Sequence, residues 1–490
     1  MLVGFGSFLV GVVLIWLSHW LYVWRNPKSN GKLPPGSMGF PIIGETIQYF
    51  APYRFDDLPL FFRKRVARYG AVFRTNILGK QVVISTDSEL NHYIFQQEGK
   101  LFEIWYPESF SKIIGQESFL KYHGILHKYL KNLVRNLVSP EKLKENMLRE
   151  MNATTHKFLN QWTGQDSFDV KEGSADMIFE YFSLQLFGYD ENKLKKNLRD
   201  NYKAFDAGLI SFPLNIPGTA YHACLQGRKN VMKVIKERFE ERKKTPRTSN
   251  HDFLDFMLEE IEREDTILNE AIAMEIVFIL LFATYETTST TITQATKFLT
   301  SHPSVLFELM REHEAILQNR GKEESELTWK EYKSMTFTHM FINETLRLAN
   351  IVPSIFRRTV TDVELKGYTI PAGWLVAVSP PALHLDPSKY ENPLEFNPWR
   401  WQGQELHSGS KNFMAFGGGV RLCVGADFAK LQVAVFLHHL VTKYSWRLVK
   451  GGGNSSETPF DVPQGVAHQN LRETTLVHLA HHSRSQLLEH

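Results

Sequence analysis

The stretch FGGGVRLCVG, residues 416 to 425, sets an aromatic ring, four glycines, an arginine and a thiol within ten residues and runs directly into the helix-like ADFAKLQVAVFLHHLVTKY. Glycine lets a backbone approach a flat object closely and adopt positive φ. Cys423 falls at or just before the start of that helix, where the helix dipole and unsatisfied N–H groups favour thiolate. A thiolate softened by backbone hydrogen bonds and screened from water is what an axial haem ligand needs. The spacing of Phe416, Gly419, Arg421, Cys423 and Gly425 fixes five residues, and a chance match at a given position is about one in a million at ordinary usage. Cys423 is the candidate metal ligand, and Phe416, Gly417 and Gly425 are candidate contacts of its cofactor.

A second block, LLFATYETTSTT at residues 280 to 291, puts hydroxyls and a carboxylate inside an otherwise apolar helix. Ala283 and Thr287 are one turn apart and share a face, while Glu286 is turned about 100° away. A third, FINETLRLAN, carries Glu344 and Arg347 three residues apart, and FNPWRW supplies Arg400. Taken alone, such a Glu/Arg pair is a surface ion pair of a few tenths of a kcal/mol.

These groups need a scaffold. The chain has 490 residues, 43% hydrophobic and 22% charged, with a formal charge of +3. That is ordinary globular composition with no polyelectrolyte character, which argues against nucleic acid as a partner. Two cysteines, Cys224 and Cys423, exclude a disulfide framework and fit a reducing compartment. Residues 2 to 24 carry no charge and would span about 34 Å as a helix, with Trp16, Trp20, Tyr22 and Trp24 clustered at one end. Arg25, Lys28 and Lys32 follow, so residues 1–25 read as an uncleaved transmembrane signal anchor with the remainder in the cytosol. Residues 26–44 read as a proline- and glycine-rich hinge, and 45–490 as one mainly helical catalytic domain with smaller β-sheets. Within it, residues 71 to 86 read as two strands around a Leu-Gly-Lys turn, and residues 357 to 379 are β-rich. A helix should run from an Asn269 N-cap to the Ser-His-Pro at 301 to 303.

With those residues in place, the chain resembles the haem-thiolate monooxygenases, the cytochromes P-450, from the anchor onward. The resemblance implies the cytochrome P-450 fold, haem b held by Cys423, and propionate partners at Arg421, Arg357, His127 and Lys131, the last two standing where the family often has Trp and Arg. It makes Glu344, Arg347 and Arg400 a buried network bracing the proximal side. It aligns ATYETT, residues 283 to 288, with the oxygen-binding motif of the family's central helix. Ala283 then leaves room for O₂, Thr287 supplies a hydrogen bond to it, and Glu286 relays protons. The family's usual glycine is replaced by Thr284.

No nicotinamide or flavin fingerprint is present, so electrons should come from a separate protein; the resemblance implies the membrane-bound NADPH reductase, with Lys128 and Lys430 as candidate docking contacts. PPGSMGFPIIGET, FINETLRLAN and FMAFGGGVRLCVG are similar to the plant clan that oxidises sterols, brassinosteroids and triterpenoids. The implied substrate is a sterol or triterpenoid, with sterol side-chain hydroxylation or cleavage to a pregnane ahead of triterpene ring hydroxylation. A haem-thiolate isomerase or dehydratase that needs no O₂ is the reading that Thr287 and Glu286 oppose. Wall candidates are Trp105, Phe110, Ile114, Leu209, Phe212, Val352, Ile355 and Val466. The implied location is the endoplasmic reticulum membrane, single-pass.

Overall fold

The structure is a computed structural model that describes residues 2–51, 58–190, 198–209, 211–245, 251–320, 326–404, 410–448 and 476–481. Val466 lies outside the described residues. The chain divides into two compact units.

One unit comprises Met1–Trp105, Val352–Glu391 and Gly409–Arg421. Its centre is a five-stranded sheet in the order Val72–Ile77, Lys80–Ser85, Leu375–Val378, Ile355–Thr359, Phe102–Ile104. Only Lys80–Ser85 and Leu375–Val378 pair in parallel. The first two strands form the expected hairpin, and its turn places Leu78 at φ 53° and Gly79 at φ 74°, the left-handed pair that matches strand twist. Alternate residues divide between two apolar clusters. Val83, Val376 and Val378 enter one, while Val82, Ile84, Leu375 and Ala377 enter the other. The sheet is therefore buried on both faces, as its run of β-branched residues requires.

The segment read as a hinge is stitched to this sheet. Arg74 donates its N–H to the Pro35 carbonyl at 2.8 Å, Glu45 donates to Asn76 at 2.8 Å, and Thr369 donates to Lys32 at 2.7 Å. Gly36 sits at φ +153°, where a Cβ would collide with the Arg74 carbonyl. Residues 32 to 45 thus form a fixed strap and not a free linker. Before it, Leu2–Arg25 is a 24-residue helix. Its apolar side chains are exposed at Val12–Leu17 and Leu21–Val23.

The other unit comprises Tyr106–Ile351, Asn392–Ser408 and Leu422–His490 and is mainly helical. Its longest helix, Glu270–Ser301, has 32 residues, about 48 Å. The Asn269 side chain caps it by accepting from Ile272 N–H at 2.9 Å, and Pro303 opens the next helix. By length and composition this helix could cross a membrane, yet 67% of its apolar window is buried in protein, so it is the core helix of the unit. Val170–Phe187, Ala220–Lys244, Thr336–Ala349 and Ala426–Lys443 pack around it. Leu198–Leu209 and Ala220–Lys244 come together closely because Gly208 faces Cys224 and Gly227 faces the Asn201 carbonyl with no room for a Cβ. A three-stranded sheet of Phe168–Asp169, Leu476–His481 and Tyr444–Leu448 completes the unit. Mainly α with smaller sheets is the fold class the sequence implied.

Candidate functional site

In the helical unit, Cys423 lies two residues before Gly425, the N-cap of Ala426–Lys443. Cys423 is accessible although protein atoms surround it closely, the condition of a side chain that opens onto internal space. Burial pushes its thiol up, while the Gly425 N–H and the Lys131 charge pull it down and Asp427 raises it. Burial wins, so the helix terminus alone does not make a free thiolate here; a bound metal cation would, because a coordinating thiol is deprotonated outright. This environment suits a ligand better than a nucleophile. Gly425 has ordinary angles, φ −92° and ψ 14°, and nothing within 4 Å of where a Cβ would be. Its contribution is the N–H to sulfur and an open flank.

Lys131, one turn after His127 on the helix Gly124–Leu137, donates its Nζ to the Leu422 carbonyl at 2.8 Å. The resemblance implies a propionate role for Lys131; in the structure its ammonium sits on the peptide that precedes Cys423. His127 is buried on the same helix.

The long helix provides the second accessible feature. Almost every residue from Ile272 to Leu299 is buried, but Ala283 and Thr287, which share a face, are exposed. The Thr287 hydroxyl donates to the Ala283 carbonyl at 2.7 Å, so its lone pairs remain to accept a hydrogen bond from a water or hydroxyl on that face. The helix continues without a break through this point. Thr284 is half-buried. Glu286 turns the other way, is buried, and pairs with Lys171 of Val170–Phe187 at 2.8 Å. Among the remaining hydroxyls, Thr291 and Thr293 bond the carbonyls one turn back at 2.9 and 2.8 Å.

Glu344 and Arg347 have no side-chain exposure, so this pair is far from the surface contact its spacing would give in isolation. Glu344 accepts from Arg347 Nε and Nη2, Arg400 Nε, Trp401 Nε1 and Asn397 N–H, all at 2.8–2.9 Å. Arg347 also donates to the carbonyls of Pro393 and Glu395. Trp401, unremarked in the sequence, closes the network; its place beside Arg400 in PWRW was the available signal.

The sheet-bearing unit holds the other arginines. Glu98 accepts from Arg421 Nε at 2.6 Å and pairs with Arg357 Nε at 2.5 Å, and all three side chains are buried. Two guanidiniums sharing one carboxylate leave a net charge of +1, which suits an anionic partner. Glu98 carries no sequence motif, and its role follows only from the tertiary pairing. Phe416 and Gly417 are half-buried in this unit, with Gly417 at φ +75°. Gly419, at φ +62°, has no room for a Cβ against the Phe95 carbonyl, so both conformation and space demand glycine there. The Met414 N–H donates to buried His384 Nε2 at 3.0 Å, fixing the start of the loop.

The wall candidates separate. Trp105 packs edge-on to Phe356, and Phe110 stacks on Tyr106 at 4.8 Å. Leu209 and Ile355 are half-buried and Val352 is exposed. Ile114 has no accessible surface and so packs the core, whereas Phe212 is 81% exposed and faces solvent, which a residue lining an enclosed cavity does not. Of the proposed docking lysines, Lys128 is exposed; Lys430 is half-buried, with burial pushing its pKa down.

Comparison with known proteins gives this geometry a context. The family described as cytochrome P450 matches residues 34–471. Cytochrome P450 87A3 of Oryza sativa subsp. japonica is 53% identical over 90% of this chain and 86% of its own length. A beta-amyrin 16-alpha-hydroxylase of Maesa lanceolata is 41% identical over 93% of this chain and 96% of its own. A cholesterol 16,22-dihydroxylase of Trigonella foenum-graecum is 38% identical over 96% and 99%. The solved structure of cyanobacterial CYP120A1 with retinoic acid bound superposes with a TM-score of 0.78 at 24% identity, covering 92% of this chain and all of that one.

Proposed function

Since the chain belongs to the cytochrome P450 family and is a cytochrome P450 monooxygenase, we propose that it holds haem b on Cys423 and oxidises a sterol or triterpenoid. The observation that carries this reading is the accessible Cys423 thiol just before a helix N-cap, together with the exposed Ala283–Thr287 face on a helix otherwise almost wholly buried. Haem, when bound, supplies O₂ activation with NADPH electrons from a separate reductase, so that one oxygen atom enters a C–H bond. The chain's own residues do the rest. Cys423 presents sulfur with the Gly425 N–H and the Lys131 charge beside it. Arg357 and Arg421 offer the net positive charge left by Glu98 to the propionates. Ala283 leaves space, Thr287 keeps lone pairs toward it, and Glu286 with Lys171 holds an ionisable pair behind it for proton supply. Glu344, Arg347, Arg400 and Trp401 fix the segment that precedes the thiol loop.

Support for the substrate class comes from the named activities of relatives similar over almost their whole length. Sterol side-chain oxidation, including cleavage to a pregnane, leads this reading. Triterpene ring hydroxylation is the second, favoured by the higher identity to the beta-amyrin hydroxylase. We assign Leu2–Arg25 as the membrane anchor of an endoplasmic-reticulum enzyme with a cytosolic catalytic domain, on its 24 residues and exposed apolar side chains. Microsomes carrying the chain and a reductase, supplied with a panel of sterols and triterpenes, should form a product one oxygen heavier only with NADPH. Turnover without NADPH would favour an isomerase or dehydratase, and no product from any member would sink the proposal.

A further inference from the structure

The sheet-bearing unit buries three charges in one place. Glu98 Oε1 accepts from Arg421 Nε at 2.6 Å and Oε2 pairs with Arg357 Nε at 2.5 Å. The side chains of Glu98, Arg357 and Arg421 are 4%, 3% and 8% exposed, so salt screens their charges little. Three segments deliver them. Arg357 pairs with Ile104 across the sheet, and Glu98 is tied to the start of the Ile104 strand by the Gly99 N–H, which donates to the Phe102 carbonyl at 2.7 Å. Arg421 ends the single helical turn Gly419–Arg421, where Gly419 lies so close to the Phe95 carbonyl that a Cβ would strike it. The Arg357 guanidinium also stands 5.4 Å from the centre of the Phe95 ring. Backbone pairing and close packing therefore place the carboxylate between the two guanidiniums.

Two like charges brought together repel, and a shared carboxylate offsets that repulsion. It also weakens the field they project: whatever else surrounds the cluster, Glu98 subtracts one unit of positive charge from it. The two arginines are the propionate partners in the reading above, and the acid between them has no part in that assignment. A haem that takes up an electron gains a unit of negative charge, so a positive charge nearby favours its reduced form and a negative charge its oxidised form. Resting on the haem reading above, we propose that Glu98 is a positioning residue that holds Arg357 and Arg421 together and, by cancelling one of their charges, lowers the reduction potential of the bound haem.

The test is a spectroelectrochemical titration of the full-length, haem-loaded chain. A unit charge about 10 Å from a redox centre, at an effective dielectric constant of about 20, changes a one-electron equilibrium roughly tenfold, or about 59 mV. Glu98→Gln should favour the reduced form by about that factor, and Arg421→Gln should favour the oxidised form by a similar one. The double variant, in which the net charge is restored, should return to within about twofold of the wild type. Opposite shifts that cancel are the signature of charge, whereas loosened packing has no reason to change sign between the two variants. Glu98→Asp keeps the charge and should restore a potential close to that of the wild type. Glu103→Gln, which removes an acid paired with exposed Arg358 in the same unit, should move the equilibrium less than about twofold. If Glu98→Gln does not retain haem, the double variant against Arg421→Gln carries the same comparison, with the double variant expected about tenfold more reducible. An unchanged or lowered potential in Glu98→Gln, or a double variant no more reducible than Arg421→Gln, would overturn the inference; the thiolate band of the reduced carbon monoxide complex would leave the haem reading in place. A wild-type chain that shows no such band removes the haem reading and the inference with it.

Discussion

Replacing Glu344 by Gln keeps the shape of the side chain and removes its charge, so the change isolates what the carboxylate does. Oε1 accepts from Arg347 Nη2, Arg400 Nε and Asn397 N–H, and Oε2 accepts from Arg347 Nε and Trp401 Nε1. Whichever way the amide is turned, its NH₂ group must face donors, two if it takes the Oε2 position and three if it takes the Oε1 position. At least two charge-assisted bonds are lost, about 1.5–3 kcal/mol each, and two buried or nearly buried guanidiniums keep their charge without a counter-ion. The total matches the 3–5 kcal/mol typical of breaking a buried pair from one side. Thermal unfolding should fall by on the order of 3–5 °C, and less of the purified protein should show the thiolate signature in its reduced carbon monoxide spectrum. The control is Glu308→Gln, which removes an ion pair whose Arg311 partner is 69% exposed; its cost should stay within about 0.5 kcal/mol. If Glu344→Gln unfolds within about 1 °C of that control, as roughly 1 kcal/mol or less would allow, the network is not what braces the loop.

Cys423→Ser should abolish the thiolate signature, while Cys224→Ser, at a fully buried position against Gly208, should retain it and lose only modest stability; retention in the first variant would remove the ligand assignment. Thr287→Ala should divert electrons to peroxide at the expense of product, while Thr287→Ser, which keeps the hydroxyl on the Ala283 carbonyl, should stay coupled; equal coupling in all three proteins would refute a role for the hydroxyl. Acid should destabilise the protein through His313, His438 and His439. His313 Nδ1 is 3.0 Å from His438 Nδ1, and burial pushes His313 and His439 down to about 3 with Arg320 and Lys443 adding to the effect. A pKa below the unfolded value of about 6.5 means these groups contribute stability above that pH. The contribution is lost as pH falls toward 3, by up to about 1.4 kcal/mol per unit for each histidine. Unfolding midpoints measured from pH 7 to pH 4.5 should fall less steeply for His313→Gln than for the wild type, and parallel profiles would contradict this.

Local instructions were legible in the chain. Asn269 and the Ser-His-Pro at 301 to 303 bound the long helix because capping and the proline stop act within one turn. The Leu78–Gly79 turn, the helix after Cys423 and the face shared by Ala283 and Thr287 follow from equally short-range rules. Residue types at fixed spacing pointed to Cys423, Glu344, Arg347 and Arg400 for the same reason. The sequence also held the apolar stretch of Leu2–Arg25 and the apolar long helix alike; only packing distinguishes an exposed helix from one buried in the core.

Partnerships across the chain had to wait for the fold. Glu98 meets Arg357 and Arg421 from positions hundreds of residues away, Lys171 meets Glu286, and Arg228 meets Glu275. A charge in a sequence gives no indication of which opposite charge will be desolvated beside it. Lys131 shows this too: nothing in its type or position indicated that its ammonium would reach the Leu422 carbonyl, 291 residues away. Ile114 and Phe212 are equally apolar, yet one lost all its surface and the other kept 81% of it. Residue type and spacing determined the chemistry this protein can carry, because ligation, capping and periodicity are local; tertiary structure alone decided which charges pair and which side chains open inward, because burial is a property of the whole packed chain.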